Sequence, residues 1–180
     1  MSEPDLAAWA SPTAVVRALP FMAHLPPDVR NLILAGFEER TYRFGETVST
    51  PEDSAFAVIV EGEVRVIATG ADGSEVSLGV LGPGQTSGER ALVEETPPAV
   101  TLRAASSAVR VLRLDRGVAV ALARAHPEAA AAFSEQAHAQ RIAAFLRTDE
   151  TFRDLDPKGV DLIVVHGRTV EAHDGDIIVR

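Results

Sequence analysis

The residues best suited to chemistry lie between positions 82 and 104, GPGQTSGERALVEETPPAVTLRA. Gly88 is followed by Glu89, Arg90, Ala91 and Leu92, a short helix-forming run whose first backbone N–H groups have no partner within the helix. Such groups attract an anion, a phosphate for example, without any metal. Glu89 opens the turn, where a carboxylate accepts hydrogen bonds either from a ligand hydroxyl or from the helix's own N–H groups. Two cations stand close by. Arg90 follows Glu89, and Arg103 lies two residues beyond Thr101, on the same face of a regular strand. Each also fits a plainer role, Arg90 as a solvated residue and Arg103 as an outward side chain alternating with a buried Leu102.

Other chemistry finds little support. The chain has no cysteine, hence no disulfide, thiolate metal site or cysteine nucleophile. His24, His126, His138, His166 and His173 lack metal-ligand spacing, and no GxSxG, Walker-type GKS or HExxH motif occurs. No metal site and no enzymatic activity are expected. A formal charge of −9 argues against the basic surface that binds nucleic acid through its phosphates. No apolar run is long enough to span a membrane, and the opening MSEPDLAAW is acidic where a secretory signal is basic and then apolar. A cytoplasmic protein is expected. Its 180 residues, 46% of them hydrophobic, suffice for one full domain and at most a small or incomplete second.

The elements that must position the 82–104 segment follow from periodicity. Ser11-Pro12 reads as an N-cap with proline in the first turn, and Pro26-Pro27-Asp28 opens a second helix that carries Val29, Leu32 and Ile33 and stops at Gly36. Beyond Gly36 the apolar period becomes two. Strands are predicted over 40–44, 55–60, 63–68, 75–80, 100–104 and 109–114, with hairpins at Glu61-Gly62 and Asp72-Gly73. From Asp115 to Leu146 the chain is Ala-rich and helical, broken near Pro127. Phe133, Ala137, Ala144 and Phe145 form an apolar stripe, interrupted by Gln140 and Arg147, that suits packing on the barrel better than a coiled coil.

Four blocks taken in order, GETVSTPEDSAFAVIVEGEVRV, ADGSEVSLGVLGPG, GERALVEETPPAVTLRA and VRVLRLDRGVAVALARAHPE, resemble the cyclic nucleotide-binding domain family of catabolite-activator-type regulators, kinase regulatory subunits and gated channels. The resemblance covers roughly residues 19 to 133. It implies an α+β, mainly β fold: an antiparallel, jelly-roll-like, eight-stranded β-roll with short N-terminal and C-terminal helices. It further implies a cassette helix that cradles a cyclic phosphate, with cyclic AMP or cyclic GMP as ligand and no other cofactor.

Residue by residue, the family pattern places Gly88 and Glu89 on its Gly-Glu pair, the glycine allowing close backbone approach and the carboxylate accepting from the ribose 2′-hydroxyl. Ala91 and Leu92 match the following positions, and Pro97, Ala99, Thr101 and Ala104 match the Pro-Arg-Ala-Ala-Thr-Val-x-Ala run. The family arginine is missing. Pro98 takes its place, Ser87 replaces the usual aromatic before the glycine, and Val100 is bulkier than the usual alanine. A guanidinium–phosphate hydrogen bond contributes on the order of 1.5–3 kcal/mol, so its loss weakens binding by roughly ten- to a hundredfold or more. Proline supplies no N–H in compensation.

Residues 152 onward, FRDLDPKGVDLIVVHGRTVEAHDGDIIVR, resemble the opening FMAHLPPDVRNLILAGFEERTYRFGETV, with Phe152 on Phe21, Leu155 on Leu25, Arg168-Thr169 on Arg40-Thr41 and Gly175-Asp176 on Gly45-Glu46. The expected organisation is a helical lead-in at 1–18, a cyclic nucleotide-binding-type domain at 19–147 and a partial second repeat at 148–180. A half-repeat whose apolar edge Asp176–Val179 lacks a mate would invite a partner, further domains beyond Arg180 or a second copy of the chain. Two functions follow from this reading. One is a regulatory or sensory domain with a degenerate cassette and weak or absent nucleotide binding. The alternative is a ligand-independent interaction or assembly module of a larger tandem-domain protein or complex.

Overall fold

The computed structural model describes residues 11–53, 55–70, 72–93 and 100–148, with 159 and 163. The chain divides into two compact units, Met1–Ala137 and His138–Arg180. In the first, α1 (Pro12–Arg17), a 3₁₀ turn (Pro20–His24) and α2 (Pro27–Gly36) precede the strands. Ser11 caps α1 by position but makes no side-chain capping bond, so Pro12 is the working start signal. The strands are β1 (Phe37–Arg43), β2 (Thr47–Ser49), β3 (Ala55–Glu61), β4 (Val64–Thr69), β5 (Glu75–Leu81), β6 (Thr86–Ser87), β7 (Val100–Ala104) and β8 (Ala108–Asp115). The helices α3 (Glu89–Val93), α4 (Arg116–Ala125) and α5 (Pro127–Thr148) complete the order, α4 being capped by Asp115, whose carboxylate accepts from the N–H groups of Gly117 and Val118.

All strand pairs are antiparallel, in two four-stranded sheets ordered β1-β8-β3-β6 and β2-β7-β4-β5. This is the expected eight-stranded β-roll. The run AFAVIV in β3 is buried at every position because its sheet is covered on both faces. Phe56, Val58 and Val60 join Leu112 and Leu114 of β8 against the helices, in a cluster with Phe21, Met22, Ile33, Ala129, Ala132 and Phe133. Ala57 and Ile59 point the other way and meet Val48, Val64, Leu102, Val109 and Val111 between the sheets. Phe21 stands edge-on to both Phe56 and Phe133, with centroids 6.2 and 6.1 Å apart. Phe133 thus packs on the barrel as the stripe suggested.

One connection differs from expectation. Glu61-Gly62 does not close a hairpin, because β3 and β4 belong to different sheets. Gly62 turns the corner at φ +78°, and a Cβ there would lie 2.4 Å from the Ala108 carbonyl oxygen. The turn at Asp72-Gly73 does join a hairpin, β4 with β5. In the second unit Ala143 and Leu146 pack with Ile142 and Ile163. The expected repeat over 148–180 otherwise lies outside the described residues.

Candidate functional site

The cassette is anchored on β3, which is buried at every position but its last. The approach turn is tied to β3 by hydrogen bonds from Ile59 N to Gln85 O (2.9 Å) and from Gly84 N to Ile59 O (2.8 Å). Thr86 and Ser87 then pair with Val58 and Ala57. Gly88 follows at φ +89°, and its backbone lies so close to β3 that an added Cβ would sit 2.1 Å from the Ala55 carbonyl oxygen. The tight approach that demands a glycine is therefore made to the protein's own backbone.

Glu89 begins α3 and points inward. Only 5% of it is exposed, and Gln136 of α5 is 9% exposed. Burial raises the Glu89 carboxyl above its ordinary range, while hydrogen bonds from the Thr86 hydroxyl, its own backbone N–H and the Gln136 amide act in the opposite direction. Its Oε1 is buried without a hydrogen-bond partner among the described residues. Leu92 packs into the helix-side core with Ala129, Ala132 and Phe133. The cassette helix thus shares an apolar cluster with α5.

This burial has a pH signature. A carboxyl raised on folding binds protons more tightly in the folded than in the unfolded chain, so its favourable contribution is complete below the unfolded carboxyl's range and is lost as pH rises through the folded value. Glu89→Gln keeps the shape and cannot ionise. Urea midpoints measured from acid to neutral pH are expected to fall more steeply for the wild type than for the variant. Parallel profiles would contradict the buried-acid assignment.

The other sequence-derived candidates are placed as follows. Thr101 and Arg103 share the outer face of β7, while Leu102 and Ala104 are buried between the sheets. Arg103 is engaged by Glu75 of β5, its Nη1 donating to Oε2 and its Nη2 to Oε1, both at 2.9 Å. That pair holds the Glu75 carboxyl below its ordinary range. Arg103→Ala is accordingly expected to leave a nucleotide titration unchanged. Arg90 and Ala91 lie in α3, where the side chains of both fall outside the described set, and Pro97, Pro98 and Ala99 lie outside the described residues altogether.

The partners of Glu89 were missed from the sequence, though Gln136 left a trace. Ala129, Ala132, Phe133 and Gln136 follow i, i+3, i+4, i+7 spacing, and a polar residue in the last slot of such a stripe calls for a buried partner. Arg113 was missed as well. It is buried on the inter-sheet side of β8, donating to Asp53 Oδ2 at 2.9 Å and to the Tyr42 hydroxyl at 3.5 Å. It belongs to a cleft with Glu38, Arg40 and Asp115, in which Arg40 pairs with Glu38 at 3.0 Å. Both guanidinium groups there are neutralised by carboxylates.

Comparison with known proteins matches this architecture. The family model for the cyclic nucleotide-binding domain fits residues 39–126, from β1 to the end of α4. Over 82 residues the chain is 32% identical to the cyclic AMP receptor protein of Thermus thermophilus, a match covering 44% of this chain and 38% of that relative. The match thus spans well under two thirds of that protein's length. Among solved structures, the N-terminal domain of a transcriptional regulator from Streptomyces coelicolor A3(2) superposes with a TM-score of 0.56 at 30% identity, over 71% of this chain and 89% of that one. The regulatory domain of Toxoplasma gondii PKA, solved with cAMP, gives 0.57 at 20% identity over 90% of this chain and 59% of that one, a likeness of fold alone. No helix among the described residues is long and apolar enough to cross a membrane. With the two-sheet roll, the Gly88-Glu89 cassette and the family match in register, the chain belongs to the cyclic nucleotide-binding domain family.

Proposed function

We propose that the chain is a regulatory module whose cassette binds cyclic nucleotide weakly, for want of a phosphate-binding arginine, and passes its state to α5. The observation that carries this reading is the buried Glu89 at the head of the cassette, with Leu92 of the same helix in one apolar cluster with Phe133 of α5. A ligand would meet the backbone of Gly88 to Leu92, with Glu89 as hydroxyl acceptor and Arg90, Ala99 and Thr101 nearby in the family pattern. Pro98 supplies neither charge nor N–H. Cyclic AMP is the first ligand to try, since the Thermus relative is a cyclic AMP receptor protein. The output would reach a protein partner or a further domain, in the cytoplasm, with residues 19–147 as the working unit.

Calorimetric titration with cyclic AMP and cyclic GMP tests the reading. Weak, saturable binding that Glu89→Ala weakens further is the expected result. Tight binding by the wild type would remove the degenerate cassette, and no binding at high concentration would favour a second reading. In that reading the roll is a ligand-independent assembly module. Arg103 held by Glu75 and Glu89 sealed inside the fold lend it weight.

A further inference from the structure

The turn between β4 and β5 sets a reactive pair of residues at the surface. Asp72 and Gly73 are exposed at its tip, Gly73 with φ +81° and open space where a Cβ would stand. An aspartate followed by glycine rearranges without any enzyme, because the glycine nitrogen, unhindered by a side chain of its own, can bond to the aspartate Cγ. The carboxyl must be protonated for this. Its hydroxyl then leaves with the amide proton as water, and a second water reopens the five-membered imide at either carbonyl. Opening at the former main-chain carbonyl frees that carbon as a carboxylate and leaves the chain running through Cβ and Cγ, one atom longer and unchanged in mass.

In this turn both reacting groups are already engaged. Asp72 Oδ1 accepts from the Ser74 backbone N–H at 3.0 Å and from the Ser74 hydroxyl at 2.6 Å. The Gly73 N–H donates to the Gly70 carbonyl oxygen at 3.0 Å, and the Gly70 N–H donates to Ser74 O at 2.8 Å, which closes the turn. The Ser74 hydroxyl, seconded by the Ser74 N–H, also keeps the Asp72 carboxyl below its ordinary range, in the ionised form that has no hydroxyl to lose.

We propose that Asp72 is a site of aspartate isomerisation which the turn holds in check, Ser74 by binding the carboxylate and Gly70 by binding the attacking nitrogen. What is guarded is the register of β5. Its pairing with β4 starts from Thr69 with Glu75, Glu75 holds Arg103, and the strand leads on to the cassette. A longer chain at position 72 displaces that register.

The chain carries its own reference, a second Asp-Gly pair at Asp174-Gly175 with Asp176 in the place of the serine. Cleavage after arginine and lysine separates the two pairs into peptides 66–90 and 169–180, whose isomerised forms are resolved by chromatography at unchanged mass. The whole chain, Ser74→Ala and Ser74→Thr are incubated at neutral pH, folded and again in urea. The wild type is expected to isomerise at position 72 more slowly when folded than in urea. Folded Ser74→Ala should isomerise there about tenfold faster than the folded wild type, the effect of one hydrogen bond to a charged group, and at the wild-type rate in urea. Ser74→Thr, which keeps the hydroxyl, should match the wild type, and position 174 should respond to neither substitution. Amide exchange over 75–81 should be faster in the isomerised fraction. Equal rates for the folded wild type and Ser74→Ala, a difference that persists in urea, or matching acceleration at position 174 would each overturn the proposal.

Discussion

Gly88→Ala is expected to destabilise the protein by about 2–5 kcal/mol, whereas Gly73→Ala should lose only about 1–2 kcal/mol. The two glycines have nearly the same backbone, φ +89° and +81°, so both substitutions incur the strain of a left-handed alanine. They differ in surroundings. A Cβ at position 73 meets nothing within 4 Å, while one at position 88 falls 2.1 Å from Ala55 O, 3.0 Å from Ala55 C and 3.3 Å from Phe56 Cα. Those atoms are backbone of β3, a strand paired on both sides and buried on both faces, so relief requires moving the cassette. Urea denaturation with a common slope for the three proteins gives the comparison directly. Equal losses at the two positions would show that the cassette gives way and that the contact with Ala55 is not binding on it.

This bears on what the cassette signature means. Gly88 answers a demand of the fold, since the close approach is between the chain and itself, and it would be needed in a roll that never met a nucleotide. Glu89 is ambiguous for a similar reason, having donors of its own in Thr86 and Gln136. The Gly-Glu half of the motif thus reports architecture. Information about the ligand is concentrated at the position of the missing arginine.

The roll was legible because its longer strands announce themselves through period two and its corners through glycine. β2 and β6 were not, since three and two residues are too few to show a period. The crossover at Gly62 was read as a hairpin because a short gap between apolar runs signals closeness in sequence and says nothing about which sheet each run joins. The site divides in the same manner. Its location could be read from the order Gly-Glu-x-Ala-Leu, but the partners of Glu89 come from β6 and from a helix 47 residues away in sequence, a pairing set only by tertiary packing. Arg103 illustrates the converse. Its face was correctly inferred from alternation, yet Glu75, which claims it, sits on another strand of the same sheet.

Pro98→Arg is expected to raise cyclic nucleotide affinity by roughly ten- to a hundredfold. A cyclic phosphate carries one negative charge, and among the described residues the groups offered to it near Gly88 are backbone dipoles, each end of which acts with only a fraction of a unit charge. Arg103 is committed to Glu75 at 2.9 Å through both terminal nitrogens, and a net charge of −9 makes the general field of the protein repulsive to an anion. A guanidinium at position 98 would supply a full charge and paired donors. The gain should shrink as salt rises, because part of it is long-range attraction. A Pro98→Arg protein that binds no better than wild type would mean that the pocket fails in shape before it fails in charge, and the assembly reading would then be preferred.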